Sequence, residues 1–180
     1  PFALSGASLA LATLGFAAWE ARQRPAESVP DAVPRPTMAR VGRLLLAVLL
    51  MGAGFQVHVF VNAAPLYKAL AEPALLPWLM PVFWIGFSLA ASAGQPALER
   101  FGMRRGFALS ALLGSLACAA CPSAPTLPVL IALQALAGVA WGGVFLAGLC
   151  LAGGAGRHGR EGLFVGTFFA SLALGAASRV

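Results

Sequence analysis

Six stretches of this sequence hold no charged side chain, and they decide what the chain can fold into. They are Phe2–Trp19, Leu44–Leu66, Leu75–Ala93, Phe107–Ala120, Leu127–Ala152 and Leu163–Ser178; all twelve Lys and Arg and all six Asp and Glu fall outside them. A helix needs about 20 consecutive apolar residues to cross a hydrocarbon core of roughly 30 Å. The fourth stretch is the shortest, and its helix is expected to begin inside the basic loop before it. Hydrophobic residues make up 59% of the 180-residue chain and charged ones 10%, a balance that a water-soluble domain of this size has too little interior to hide. Within lipid every backbone polar group needs an internal partner, so the runs are expected to be helices. The short alternating segments of a transmembrane barrel are absent from the sequence. The expected fold is an all-α membrane protein, a polytopic bundle of about six transmembrane helices.

The formal net charge is +6 and the isoelectric point about 10.6. On a soluble protein this would point to nucleic acid, but here the basic residues sit in the connections between apolar runs. Cytoplasmic loops of membrane proteins carry an excess of Lys and Arg. Arg22, Arg24, Arg35, Arg40 and Arg43 precede the second run, Arg100, Arg104 and Arg105 follow the third, and Arg157 and Arg160 follow the fifth. Strict alternation puts these ten on one side and only Lys68 and Arg179 on the other. The expected locations are therefore an integral membrane position, bacterial inner membrane, with the first connection and the 99–105 loop in the cytoplasm and no nucleic-acid partner.

The one long polar stretch is Glu20–Arg43, punctuated by Pro25, Pro30, Pro34 and Pro36. Proline blocks helix continuation and favours extended, solvated backbone, so residues 20–43 are expected to be a cytoplasmic linker with a short helical piece near Thr37–Gly42. Pro1 lacks both a preceding Met and the basic flank and cleavage site of a signal peptide. Phe2–Trp19 is accordingly read as a mature span, and the chain as a piece of a longer one. The other loops leave no room for a soluble catalytic domain, so function is expected within the bundle.

The most distinctive loop is Gly94-Gln95-Pro96-Ala97-Leu98-Glu99-Arg100-Phe101-Gly102-Met103-Arg104-Arg105. It resembles the signature loop of the major facilitator superfamily of secondary transporters, whose pattern runs roughly G-x-L-a-D-R-x-G-R-R. Glu99, Arg100, Gly102, Arg104 and Arg105 match its second half, with Glu99 for the usual Asp and Gly94 one place early. The resemblance implies that residues 1–19 are the last helix of an N-terminal half, 20–43 the linker between halves, and 44–180 a C-terminal bundle lacking its last helix. The chain would then cover roughly helices six to eleven, and its partner would be the missing N-terminal half of the same transporter. The resemblance also implies a cytoplasmic latch, in which Glu99 caps backbone N–H groups and pairs with Arg while the arginines hold the loop at the anionic leaflet. Topogenic charge alone is the other reading.

Candidate site residues are the polar and aromatic groups inside the runs. His58 and Asn62 lie four apart and share a helical face with Phe55, whereas Gln56 points elsewhere. Intramembrane polar groups face a cavity or another helix, and both readings stay open. Resemblance favours cavity lining, and Pro65 suggests a local break nearby. Gln134, Gly138, Trp141 and Phe145 follow at spacings of four, three and four, either as a stacking surface for an amphipathic solute or as plain packing. Gly138-x-x-x-Gly142 and Gly162-x-x-x-Gly166 allow helices to approach closely. Pro77 and Pro81 fit a first turn or a kink, Trp78 an interfacial belt, and Met80, Phe83 and Phe87 lipid or core contacts. Cys118-x-x-Cys121, without further Cys or His nearby, reads as two small core residues rather than a metal or redox site.

No Asp or Glu lies within a run, so His58 has no carboxylate for a proton relay. The expected function is transport of a small organic solute by alternating access, with an efflux permease slightly favoured, no metal or cofactor and no catalytic residue. The alternatives are a non-transporting assembly or sensor subunit and an intramembrane enzyme. Against the last, no H-E-x-x-H motif occurs and His58 is the only intramembrane histidine.

Overall fold

A computed structural model describes residues 38–156 and 159–177 of the chain. The expected span Phe2–Trp19 and most of the linker lie outside them. The described residues form helices and connections, with no strand among them.

Helix α1 (Met38–Gln56) continues through a π-helical segment, Val57–Ala63, into α2 (Ala64–Leu70), making one helical rod of 33 residues. A 3₁₀ turn (Pro73–Leu75) and the short α3 (Leu76–Leu79) lead into α4 (Pro81–Ala93). The short α5 (Gln95–Phe101) carries the basic loop, and α6 (Met103–Ala120) follows. A 3₁₀ turn (Cys121–Ser123) joins α6 to the longest helix, α7 (Leu127–Ala155), and α8 (Glu161–Ala177) closes the described chain. Four stretches are long and apolar enough to cross a membrane: Met38–Leu70, Pro73–Ala93, Met103–Ser123 and Leu127–Ala155. The 17 residues of α8 form a shorter apolar helix, about 26 Å at 1.5 Å per residue.

The helices overrun the apolar runs at their basic ends. α1 takes in residues 38–43, where a short helical piece was expected, and runs on unbroken into the apolar run, and α6 starts at Met103, inside the basic loop as expected. Apolarity marks the lipid boundary, not the helix boundary. Arg and Met are good helix formers, and long basic side chains reach back to the interface.

Prolines set several helix starts. Pro77 lies in the first turn of α3, Pro81 opens α4 and Pro128 lies in the first turn of α7, where the missing N–H has no helical partner to lose. Pro65 acts differently. Its ring crowds the carbonyl of Val61 and it offers no N–H, and the turns just before it widen into the π-helical segment that holds His58 and Asn62.

Along the central helix the buried residues are mostly small, and many large ones lie on the outside, although Phe83, Leu130 and Phe168 are buried. α7 is the central helix, packed against α4, α6 and α8, while α1 packs chiefly against α8. The buried face of α7 is built from Ala137, Gly138, Ala140, Gly142, Gly143, Ala147, Gly148 and Ala152. Ile85, Leu89, Leu116 and Leu174 are each 60–64% exposed on the outside. Such an inside-out pattern suits helices solvated by lipid tails, where association depends on close van der Waals contact rather than on hiding apolar surface from water.

Glycines make the two closest crossings. A Cβ on Gly138 would run into the carbonyl of Phe83 and lie 3.0 Å from the nitrogen of Phe87, and one on Gly142 would lie 2.5 Å from the Phe87 oxygen. At the α1–α8 crossing, a Cβ on Gly175 would lie 2.5 Å from the Leu49 oxygen and 3.0 Å from the Cα of Gly52. The pair Gly162 and Gly166 behaves otherwise. Both face open space, so that second spacing marks no helix contact among the described residues.

Candidate functional site

Two clefts flank the plane in which α1 faces α7, and a pair of rings separates them. Phe55 of α1 and Trp141 of α7 pack as a tilted pair with centroids 4.7 Å apart and planes at 53°, and both line each cleft. The sequence-derived candidates are divided between the two sides.

The first cleft lies where α1, α4, α7 and α8 meet and encloses about 370 Å³. Its walls are aromatic: Phe55, Trp84, Phe87, Trp141, Phe145 and Phe169. Phe87 and Phe145 pack at 5.5 Å, Trp84 meets Phe55 edge-on at 5.5 Å, and Phe145 passes the contact on to Phe169 at 6.1 Å. Edge-to-face and tilted pairs at these separations attract beyond their buried area. Gln56 supplies the only polar side chain in this lining, and its enclosed Oε1 has no hydrogen-bond partner among the described residues.

The second cleft, about 340 Å³, lies between the rod and α6 with α7 behind it. It is the polar one. His58 and Asn62 face Ser110, Ser115 and Cys118 across it, so the two residues share a side, as their spacing predicts, and Gln56 lies on the other.

Gln134 explains the position of His58. The imidazole is 4% exposed and its Nε2 lies 3.2 Å from Oε1 of Gln134, itself 1% exposed. A carbonyl oxygen only accepts, so Nε2 carries the proton of this bond. The Gln134 amide nitrogen in turn points to Sγ of Cys121 at 3.7 Å, and that thiol donates to the carbonyl of Ala117 at 3.2 Å. A polar chain thus ties the π-helical segment to α7 and on to the end of α6. Among the described residues His58 Nδ1 is left enclosed without a partner, as is the hydroxyl of Tyr67, whose side chain packs with Cys121 in one apolar cluster.

The stripe Gln134, Gly138, Trp141 and Phe145 therefore serves three neighbours. Gln134 holds His58, Gly138 abuts α4, and the two rings line the aromatic cleft. Phe83 is buried core, Met80 is exposed, and Phe87, expected only as a lipid or core contact, is a cleft wall. Trp78 is 78% exposed, as an interfacial ring would be. Of the cysteines, Cys121 is fully buried, and Cys118 and Cys150 are half-buried; all three are free thiols, and no group of three potential metal ligands occurs among the described residues.

The basic loop folds as two helix ends around Gly102. That residue has φ +85° and ψ 134°, a backbone conformation that side chains with a Cβ rarely adopt. It lets α5 stop and α6 start at once. Glu99, Arg100, Arg104 and Arg105 surround a shallow depression beside Leu151. Glu99 does not show the local capping and arginine pairing expected of it. Its carboxylate accepts a 2.8 Å hydrogen bond from Gln95 Nε2 one turn earlier, it forms no ion pair with the described residues, and the start of α6 has no side-chain cap. The helical i, i+4 spacing brings Gln95 and Glu99 together. Gly94 is the C-terminal boundary of α4 with ordinary helical dihedrals.

Sequence reasoning missed the Phe55–Trp141 partition and the Trp84 and Phe169 walls. Rings from four separate helices converge there, and no periodicity within one helix encodes that meeting. Compared with protein-family models, curated proteins and solved structures, the chain matches none of them.

Proposed function

We propose that this chain is a secondary carrier of the major facilitator type that moves a small, amphipathic organic solute by alternating access in a bacterial inner membrane. The observation that carries the proposal is the aromatic cleft, in which four helices present six rings and a single amide. Such a lining suits a flat apolar body, and a cationic substituent would gain further from the ring faces. The enclosed Oε1 of Gln56 lacks a donor, which a solute N–H or O–H would supply once the cleft opens. In this reading Gln56 and Trp141 touch the solute. His58 and Gln134 hold the widened helix against α7, and Asn62 lines the polar cleft behind them. The basic loop and the arginine-rich start of α1 face the cytoplasm, residues 20–43 connect two halves of the carrier, and the described helices correspond to helices seven to eleven of that family.

π-helical turns concentrate at functional positions, and the Val57–Ala63 segment is one, directly after Gln56. The test is uptake into proteoliposomes of a panel of fluorescent aromatic amines and amides. Saturable uptake that Trp141→Ala abolishes, while Lys68→Gln leaves it intact, supports the reading. Uptake no faster than in protein-free liposomes across the panel, with the protein folded, contradicts it.

A further inference from the structure

We infer that the basic end of the bundle holds a specific site for an anionic phospholipid, seated between the starts of α1 and α6. A cavity of about 640 Å³ lies there, and three arginines line it: Arg40 and Arg43 from the first turns of α1, and Arg104 from the first turn of α6. No carboxylate shares the lining, and none of the three forms an ion pair with a described residue. Arg43 donates Nε to the carbonyl of Ala39 at 3.2 Å, which fixes its stem and leaves both Nη groups without a partner there. Three guanidinium groups held around one space repel each other unless an anion sits among them, and the planar fork of Arg matches the oxygens of a phosphate.

The rest of the lining selects a lipid over a free anion. Below the arginines the cavity is walled by Leu44, Phe107 and Leu151. The residues of this apolar floor belong to α1, α6 and α7, three long apolar helices. A phosphodiester at the arginines with an acyl chain along the floor satisfies both parts at once, whereas inorganic phosphate leaves the floor exposed. Basic pockets between transmembrane helices at the membrane surface bind acidic head groups by this combination. The cavity is separate from both clefts described above, sharing no lining residue with either.

The purified protein in phosphatidylcholine nanodiscs containing a minority of phosphatidylglycerol provides the test, with bound lipid counted by native mass spectrometry. Retention of phosphatidylglycerol over phosphatidylcholine is expected, falling about fivefold for each of Arg40→Gln, Arg43→Gln and Arg104→Gln, the effect of about 1 kcal/mol per basic residue at an anionic surface. The triple variant loses about a hundredfold on the same basis, Arg104→Lys restores part of the loss, and Lys68→Gln changes nothing. Helix content by circular dichroism in pure phosphatidylcholine separates lipid loss from unfolding. Equal retention of the two lipids, or full retention by the folded triple variant, overturns the assignment. Displacement of the lipid by millimolar inorganic phosphate overturns it too, because it would mark a plain anion site.

Discussion

The two clefts share a wall and almost nothing else. On one side of the Phe55–Trp141 pair four helices offer rings and one amide whose oxygen has no partner. On the other, three elements offer an imidazole, an amide, two hydroxyls and a thiol, and the imidazole is already bonded to Gln134. In lipid, polar side chains are spent first on holding helices together. His58 is thus committed on one nitrogen to helix register, and the aromatic cleft, with six rings around one amide, suits a flat apolar solute better.

The largest way to break this contrast is to remove the crossing that forms one wall of the aromatic cleft. Gly138→Leu drives a side chain into the backbone of α4, which has no flexible end to move aside, and is expected to destabilise the bundle by about 3 kcal/mol or more. Gly166→Leu, facing open space, is expected to stay within about 0.5 kcal/mol. Unfolding in mixed detergent micelles distinguishes them, and equal losses would show that α4 and α7 do not meet at these glycines.

Next comes the partition itself. Trp141→Ala merges the two clefts and is expected to cost about 2 kcal/mol, less than a fully buried ring because Trp141 borders open space on both sides. A cost below that of an exposed residue such as Ile85→Ala would deny the ring any structural role.

A smaller effect separates the two amides. Gln134→Leu leaves the buried His58 without its bond and is expected to lose about 1 kcal/mol, with a coupling of similar size to His58→Phe in a double-mutant cycle. Gln56→Leu removes an acceptor that bonds nothing, so stability should hold within about 0.5 kcal/mol while affinity for an aromatic amine falls. If Gln56→Leu destabilised more than Gln134→Leu, the roles given to the two clefts would be reversed.

Much of this was legible in the sequence because it depends on local rules. The charge-free runs located the four membrane-length helical stretches, the spacing of His58 and Asn62 put them on one side, and Gly138 and Gly142 were marked as a crossing. Alternation of loops grouped Arg40, Arg43 and Arg104, which now share one cavity. The failures are equally physical. The helical piece near 37–42 was read as part of the linker, although it is continuous with the apolar run after it. Gly162 and Gly166 have the spacing of a crossing without a neighbour to cross. Glu99 was paired with arginines by charge, yet the Gln95 amide one turn away reaches it first. The aromatic cleft was only half seen, through Gln56, Trp141 and Phe145, since its remaining walls come from helices far apart in the chain.

The central claim is that the aromatic cleft, and not the polar one, opens to solute. With Cys118, Cys121 and Cys150 replaced by Ala, single cysteines at Gln56, Asn62 and the outward-facing Leu116 can be probed with a charged methanethiosulfonate reagent in membranes. The account predicts that the cysteine in place of Gln56 reacts fastest, is protected by a transported aromatic amine, and far outpaces the one at Leu116. A cysteine at Gln56 as inert as the one at Leu116, beside a reactive one at Asn62, would contradict it.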